Sequence, residues 1–208
     1  MATREKILVT ALQLFNEKGY VKVGVREIAR ALQMSPGNLS YHFPKKEDLL
    51  FELLKSYSEQ NTIYFSHFQQ EESSIDRFLT LMTKIMHAQY QHRGIMVGNF
   101  ELHSDIWGQD TLNYRHTHHR RRGDLELILT QLRDAGQIEA DADDIAFLVS
   151  MLTLFGKYAL HESLFTSNGT SESEVVDQNI DLLIRQLSLF STETGSNSIE
   201  EYLVTRGN

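Results

Sequence analysis

Two short stretches of this chain concentrate residue types that could do chemistry. RHTHHRRR, residues 115–122, sets three histidines and four arginines in eight positions, a composition that fits either a metal site or a grip on phosphate. SPGNLSYHFPKK, residues 35–46, has fewer charges but a telling order: a capping serine, a proline, small residues, then Asn38, Ser40, Tyr41 and His42. Side chains of the second kind hydrogen-bond base edges and phosphates. What either stretch does depends on the elements that position it.

The bulk numbers narrow the choice. The 208 residues are 41% hydrophobic and 23% charged, an ordinary globular balance. Cysteine is absent, which removes disulfides, thiolate ligands and cysteine nucleophiles and suits a reducing compartment. The N-terminus places Arg4, Glu5 and Lys6 before an apolar stretch broken by Thr10, Gln13 and Asn16, with no small-residue cleavage site. The longest apolar run, 146–155, is about half of what a bilayer requires. A cytoplasmic protein without membrane association is therefore expected. The net charge of −8 hides an asymmetry: residues 1–46 hold eight Lys/Arg against three acids, a formal +5, so the other 162 residues carry −13. A basic head on an acidic body is a pattern of nucleic-acid binders.

Helical periodicity runs through almost the whole sequence and no strand-like alternation interrupts it, so the fold class is all-α, with about nine helices. Ile7, Leu8, Ala11, Leu12 and Phe15 form a first stripe that Gly19 can end; Val25, Ile28, Ala29 and Leu32 form a second. Ser35 and Pro36 open a third helix, and Pro44 stops it. A long fourth helix begins near Lys45, with Leu49, Leu50, Leu53, Leu54 and Tyr57 inward. Five more are expected at 75–92, 97–107, 109–135, 143–164 and 173–190, followed by a polar tail, 191–208, with a short turn at 199–203. No flexible linker separates head from body; the fourth helix joins them, and a rigid helix can carry a displacement.

The second and third helices, joined at Gln33-Met34-Ser35, make a helix-turn-helix whose second member exposes a polar face that fits the major groove. Here VREIARALQMSPGNLSYHFPKKEDLL resembles the N-terminal domain of the TetR family of bacterial transcriptional regulators. The likeness lies in Ile28-Ala29, Ser35, Gly37, Leu39, Tyr41-His42-Phe43, Lys46 and Leu49, after Phe15 and Gly19, and covers roughly residues 4–55. It implies a DNA-binding domain at 1–60 and an effector-binding and dimerisation domain at 61–190. With the residues' own chemistry, it nominates Arg26, Ser35, Pro36, Gly37, Asn38, Ser40, Tyr41, His42, Lys45 and Lys46 as DNA contacts. The chain departs from the family pattern at Gln33, often Gly; at Ser40, often Tyr; and at Lys45, which exchanges a Ser or Asn cap for a second positive charge.

One recognition helix gives little selectivity alone, so a homodimer on a palindromic operator is expected, paired through the apolar helices near 143–164 and 173–190. The body has the aromatic and methionine content to line a cavity, and the resemblance implies a small-molecule effector there. The nominated residues are Phe100, Trp107, Tyr114, His118, Arg121 and Tyr158, with Met82, Met86, Met96 and Met151 nearby in type. The register extended back from Leu125 turns Tyr114, His118 and Arg121 inward and His116 and Arg120 outward. Two readings of Arg121 stay open: a contact to an anionic effector, or a pair with an Asp or Glu. The split cluster leaves one histidine facing inward, so neither a metal nor another cofactor is expected. No P-loop, nucleophile elbow or HExxH segment is present, and the function expected is that of a ligand-responsive repressor rather than an enzyme. The alternatives are a DNA-binding protein without an effector and a His-rich metal-dependent enzyme.

Overall fold

A stripe of Ile7, Ala11 and Phe15, all fully buried, explains why the chain opens as a helix, α1 (Thr3–Lys18). Gly19 ends it in the left-handed region at φ 83°, its N–H bonding the Phe15 carbonyl at 2.8 Å. The computed structural model describes residues 3–97, 114–166 and 169–207, without the side chains of Tyr114 and Arg115. Among these the chain is all-α, with one isolated antiparallel bridge, Ile138 to Ser191. After α1 come α2 (Val25–Ala31), α3 (Pro36–His42), α4 (Lys46–Phe68), α5 (Ile75–Gln91) and the short α6 (Arg93–Met96). Then follow α7 (Tyr114–Asp134), α8 (Ala142–Thr166), α9 (Glu172–Ser188) and α10 (Glu193–Arg206). The helix expected at 97–107 lies outside the described residues from 98 onward, as does the start of the one expected at 109–135. None of the described helices is long and apolar enough to cross a membrane.

The chain forms two compact units. The head takes residues 1–60 and, among the described residues, 91–97; the body takes 61–90 and 114 onward. The linear division at residue 60 thus misses a piece of the head. Gly94 explains it: a Cβ there would lie 2.1 Å from the Phe15 carbonyl oxygen, so only glycine allows α6 this close to α1. Asn16 fastens the contact from both ends, donating to the Gln91 carbonyl at 2.7 Å and accepting the Gly94 N–H at 2.8 Å. Ile95 is fully buried beside them.

In the body, α5, α7, α8 and α9 close around a core to which α7 contributes Leu125, Ile128, Leu129 and Leu132, the face its register predicts. Ser171 and Glu174 form a reciprocal capping box at the start of α9, and the bonds from Ser171 hold the Glu174 carboxyl below its usual range. The expected polar tail is corrected: residues 193–206 are a helix packed into the body. Thr192 caps α10 by accepting the Gly195 N–H at 3.1 Å, and a Cβ on Gly195 would lie 2.0 Å from the Gln137 carbonyl oxygen. Ser198 bonds Asp76, Tyr202 bonds Thr83 at 2.7 Å, and Arg206 pairs with Asp177 and Asp181. The buried face of α10 sets Gly195 and Ser198 beside Ile199 and Tyr202, too few apolar residues for hydrophobic periodicity to announce the whole helix.

Candidate nucleic-acid interface

The turn between α2 and α3 keeps its form although Gln33 stands where glycine would be easiest. Gln33 is the one non-glycine residue with positive φ, 54°, among those described. Its N–H bonds the Arg30 carbonyl at 3.0 Å and the Met34 N–H bonds that of Ala29 at 2.9 Å, a Schellman end to α2. Ser35 then caps α3, its Oγ accepting the Asn38 N–H at 3.2 Å, with Pro36 in the first turn. Leu39 and Phe43 anchor the helix from below, fully buried. Gly37, Asn38, Ser40 and Tyr41 are exposed above, Tyr41 to 83%, and the half-buried His42 ring lies edge-on to it at 5.4 Å. Arg26 at the start of α2 and Lys45 before α4 are exposed as well.

Several cations behind the positive charge of the head are turned to internal use. Arg4 donates to the His42 carbonyl at 3.2 Å and to Glu52 at 3.0 Å, and its guanidinium stands 4.3 Å over Phe43. It therefore braces the C-terminal end of α3, where a helix favours positive charge. Sequence reading missed this role, although Arg4 sits three residues before Ile7 and so heads the buried stripe of α1. Lys18 pairs with Glu27 at 2.5 Å; the bond raises the lysine pKa and lowers the carboxyl's. Lys46 turns inward, its ammonium bonded to the Tyr20 carbonyl oxygen and 4.0 Å from the Tyr20 ring centre. Burial in turn pushes the Tyr20 phenol up to about 12. At the start of α4 the Lys45 N–H is met by the Asp48 carboxylate at 2.8 Å, half of a capping box legible in the spacing of those two residues.

Of the nominated effector residues, Phe100 and Trp107 lie outside the described residues, as does the Tyr114 side chain. The rest of RHTHHRRR divides as its register requires: His116 and Arg120 are exposed, His118 and Arg121 half-buried. Arg121 pairs with Asp124 at 3.1 Å, donates to Thr62 at 2.7 Å and stands 4.6 Å over Phe65. Of its two open readings, this geometry favours the structural pair. Burial first, then the charges of Lys157 and Arg122, pushes the His118 imidazole down, which favours its neutral form. Tyr158 is 48% exposed and shares the outer face of α8 with Phe147, Met151 and Leu154; Met82 and Met86 are core. Among the described residues no three His, Asp or Glu side chains gather as a metal site would need.

Comparisons with known proteins bear on the head first. Residues 7–53 match the family model described as bacterial regulatory proteins, tetR family. Probable HTH-type transcriptional regulator YttP of Bacillus subtilis (strain 168) is 32% identical over 97 residues, 45% of this chain and 46% of that protein. The chain thus spans about half the length, or less, of the curated relatives it matches. A TetR-family transcriptional regulator from Marinobacter aquaeolei VT8 superposes with TM-score 0.84 at 24% identity, covering 97% of this chain and 99% of that one. A regulator from Saccharomonospora viridis, solved in complex with choline, superposes with TM-score 0.67 at 19% identity, covering 86% and 94%.

Proposed function

Since this chain belongs to the TetR family of bacterial transcriptional regulators, we propose that it is a ligand-responsive repressor that binds a palindromic operator as a homodimer. A small-molecule effector held in the body releases it. The observation that carries the reading is α3: capped at its first turn, anchored by Leu39 and Phe43, and presenting Gly37, Asn38, Ser40 and Tyr41 outward. Gly37 lets the backbone come close to DNA, Asn38 reads an adenine edge, and Tyr41 and His42 reach phosphate or a thymine methyl. Arg26 and Lys45 add phosphate contacts on either side.

The outer face of α8 supports dimerisation. Phe147, Met151, Leu154, Tyr158 and Phe165 are exposed to between 37% and 82%, and the first four fall at alternating steps of four and three. That seam, with Leu182 on α9, suits a two-fold four-helix bundle that holds two recognition helices about one DNA turn apart, roughly 34 Å. An effector acts by binding one arrangement of the body better than the other, and α4, continuous from head residues into body residues, transmits the choice. The choline bound by the Saccharomonospora viridis regulator supports a small molecule as the trigger.

Footprinting tests the whole reading: the protein protects a palindrome in its own genomic DNA, and a metabolite extract abolishes the protection. A genome-wide selection that yields no palindromic site would refute it.

A further inference from the structure

Lys46 holds the place, at the start of α4, where the family resemblance puts a phosphate contact, yet its ammonium points elsewhere. Nζ bonds the Tyr20 carbonyl oxygen and lies 4.0 Å from the Tyr20 ring centre and 5.9 Å from that of Phe15. Burial holds the ammonium below the usual lysine range. Tyr20 is fixed in turn, its ring edge-on to Phe15 at 5.1 Å and its N–H bonded to the Gly94 carbonyl at 3.2 Å. To reach a phosphate, Lys46 would have to give up both the carbonyl and the ring face. The other attraction of a helix start, its unmet amides, is reduced by the chain's own acids: Asp48 takes the Lys45 N–H, and Glu47 stands beside it. Lys45, just before this end of α4, is exposed and makes no such inward contact with a ring or carbonyl among the described residues.

We propose that Lys46 is a positioning residue that fixes the start of α4 against the turn between α1 and α2, and that Lys45 carries the phosphate contact at this helix start. The proposal rests on the DNA-binding reading above and assigns one contact within it. A positioning residue affects the fit of the head to its own operator, whereas a phosphate contact strengthens binding to any duplex and adds to its salt dependence.

The test compares wild type, Lys45→Met and Lys46→Met on two duplexes of equal length: the palindrome that wild type selects from random sequence, and a mixed-sequence duplex. Lys45→Met is expected to flatten the slope of log affinity against log salt by about 0.9 per protomer on both duplexes. Lys46→Met is expected to leave both slopes unchanged, to weaken the palindrome about tenfold and to change the mixed duplex less than about twofold. A flattened slope in Lys46→Met, an equal loss on both duplexes or no loss on either overturns the proposal, as does an unflattened slope in Lys45→Met. Reductive methylation of wild type without DNA is a second readout that needs no variant to fold. Extrapolated to the neutral amine from its pH dependence, the rate should be at least about tenfold faster at exposed Lys45 than at Lys46, whose nitrogen is screened by the Tyr20 carbonyl and ring, and equal extrapolated rates overturn the placement. If wild type binds neither duplex, the proposed function fails, while methylation still decides where the Lys46 ammonium lies.

Discussion

In the head, the seven-residue α3 turns Gly37, Asn38, Ser40 and Tyr41 to solvent; in the body, the 25-residue α8 turns Phe147, Met151, Leu154 and Tyr158 to solvent. The first face is largely polar and rests comfortably in water until a charged partner displaces that water. The second is apolar and gains free energy as soon as another apolar surface covers it. The contrast teaches that the two proposed associations, with DNA and with a second copy, are governed by different forces. Salt weakens the first steeply and leaves the second almost untouched. Ile145, Leu148, Val149, Leu152 and Leu160 of α8 are buried in the body, and packing within the described residues does not account for the exposed apolar ones.

The strongest way to break this contrast is to charge the seam. Phe147→Glu with Leu154→Glu should convert the proposed dimer to monomer in sedimentation and lower affinity for a palindrome by at least about 100-fold, because two half-sites would no longer be held together. A variant that stays dimeric would move the interface elsewhere. Next in size is a contrast between two glycines of the head. Gly94→Ala forces a methyl onto the Phe15 carbonyl and should cost about 2–3 kcal/mol in denaturant unfolding. An added Cβ on Gly37 meets nothing within 4 Å, so Gly37→Ala should leave stability nearly unchanged and weaken DNA binding instead. Equal unfolding curves for the two variants would contradict the packing described for α6.

Asn38→Ala should cost about 1–3 kcal/mol on the palindrome and relax base preference at one position per half-site, with little change in melting temperature. Unaltered base preference would take Asn38 out of the readout. Gln33→Gly should stabilise the head by up to about 1 kcal/mol by relieving a left-handed residue, a gain partly offset by greater freedom of the unfolded chain.

The smallest effect concerns Tyr20, whose buried hydroxyl has no hydrogen-bond partner among the described residues. Its phenol is raised from 10 to about 12, so the folded state favours the neutral form. That contribution is complete below pH 10 and is lost as pH rises towards and through about 12. Tyr20→Phe keeps the ring under Lys46 and removes the titration. Wild type should therefore lose stability relative to Tyr20→Phe between pH 10 and 12, and parallel pH profiles would show that the phenol is not buried as described.

What was legible in the sequence was local. Gly19, the Ser35-Pro36 cap and the stripes of α1, α2 and α7 each announce themselves within a few residues, because helix starts, stops and faces are set by near neighbours. The register of α7 likewise turns His118 and Arg121 inward, and both are half-buried. The braces were not legible. Arg4 reaches partners 38 and 48 residues away, and Asn16 meets Gly94 across 78 residues. Such pairings leave no periodic trace, and Gly94 reads by itself as a helix breaker. The same blindness hid α10, where Gly195 and Ser198 do the packing that apolar residues usually signal.

The inclusion of residues 91–97 in the head bears on how such proteins can be recombined. A hybrid regulator joined at residue 60 would carry the helix-turn-helix but leave behind the Gln91 and Gly94 backbone groups that Asn16 and Tyr20 bind. A graft that respects the molecule must move two pieces of chain together. Exchange of DNA specificity between relatives, in the laboratory or in evolution, is then easier by rewriting the outer face of α3 than by trading whole domains.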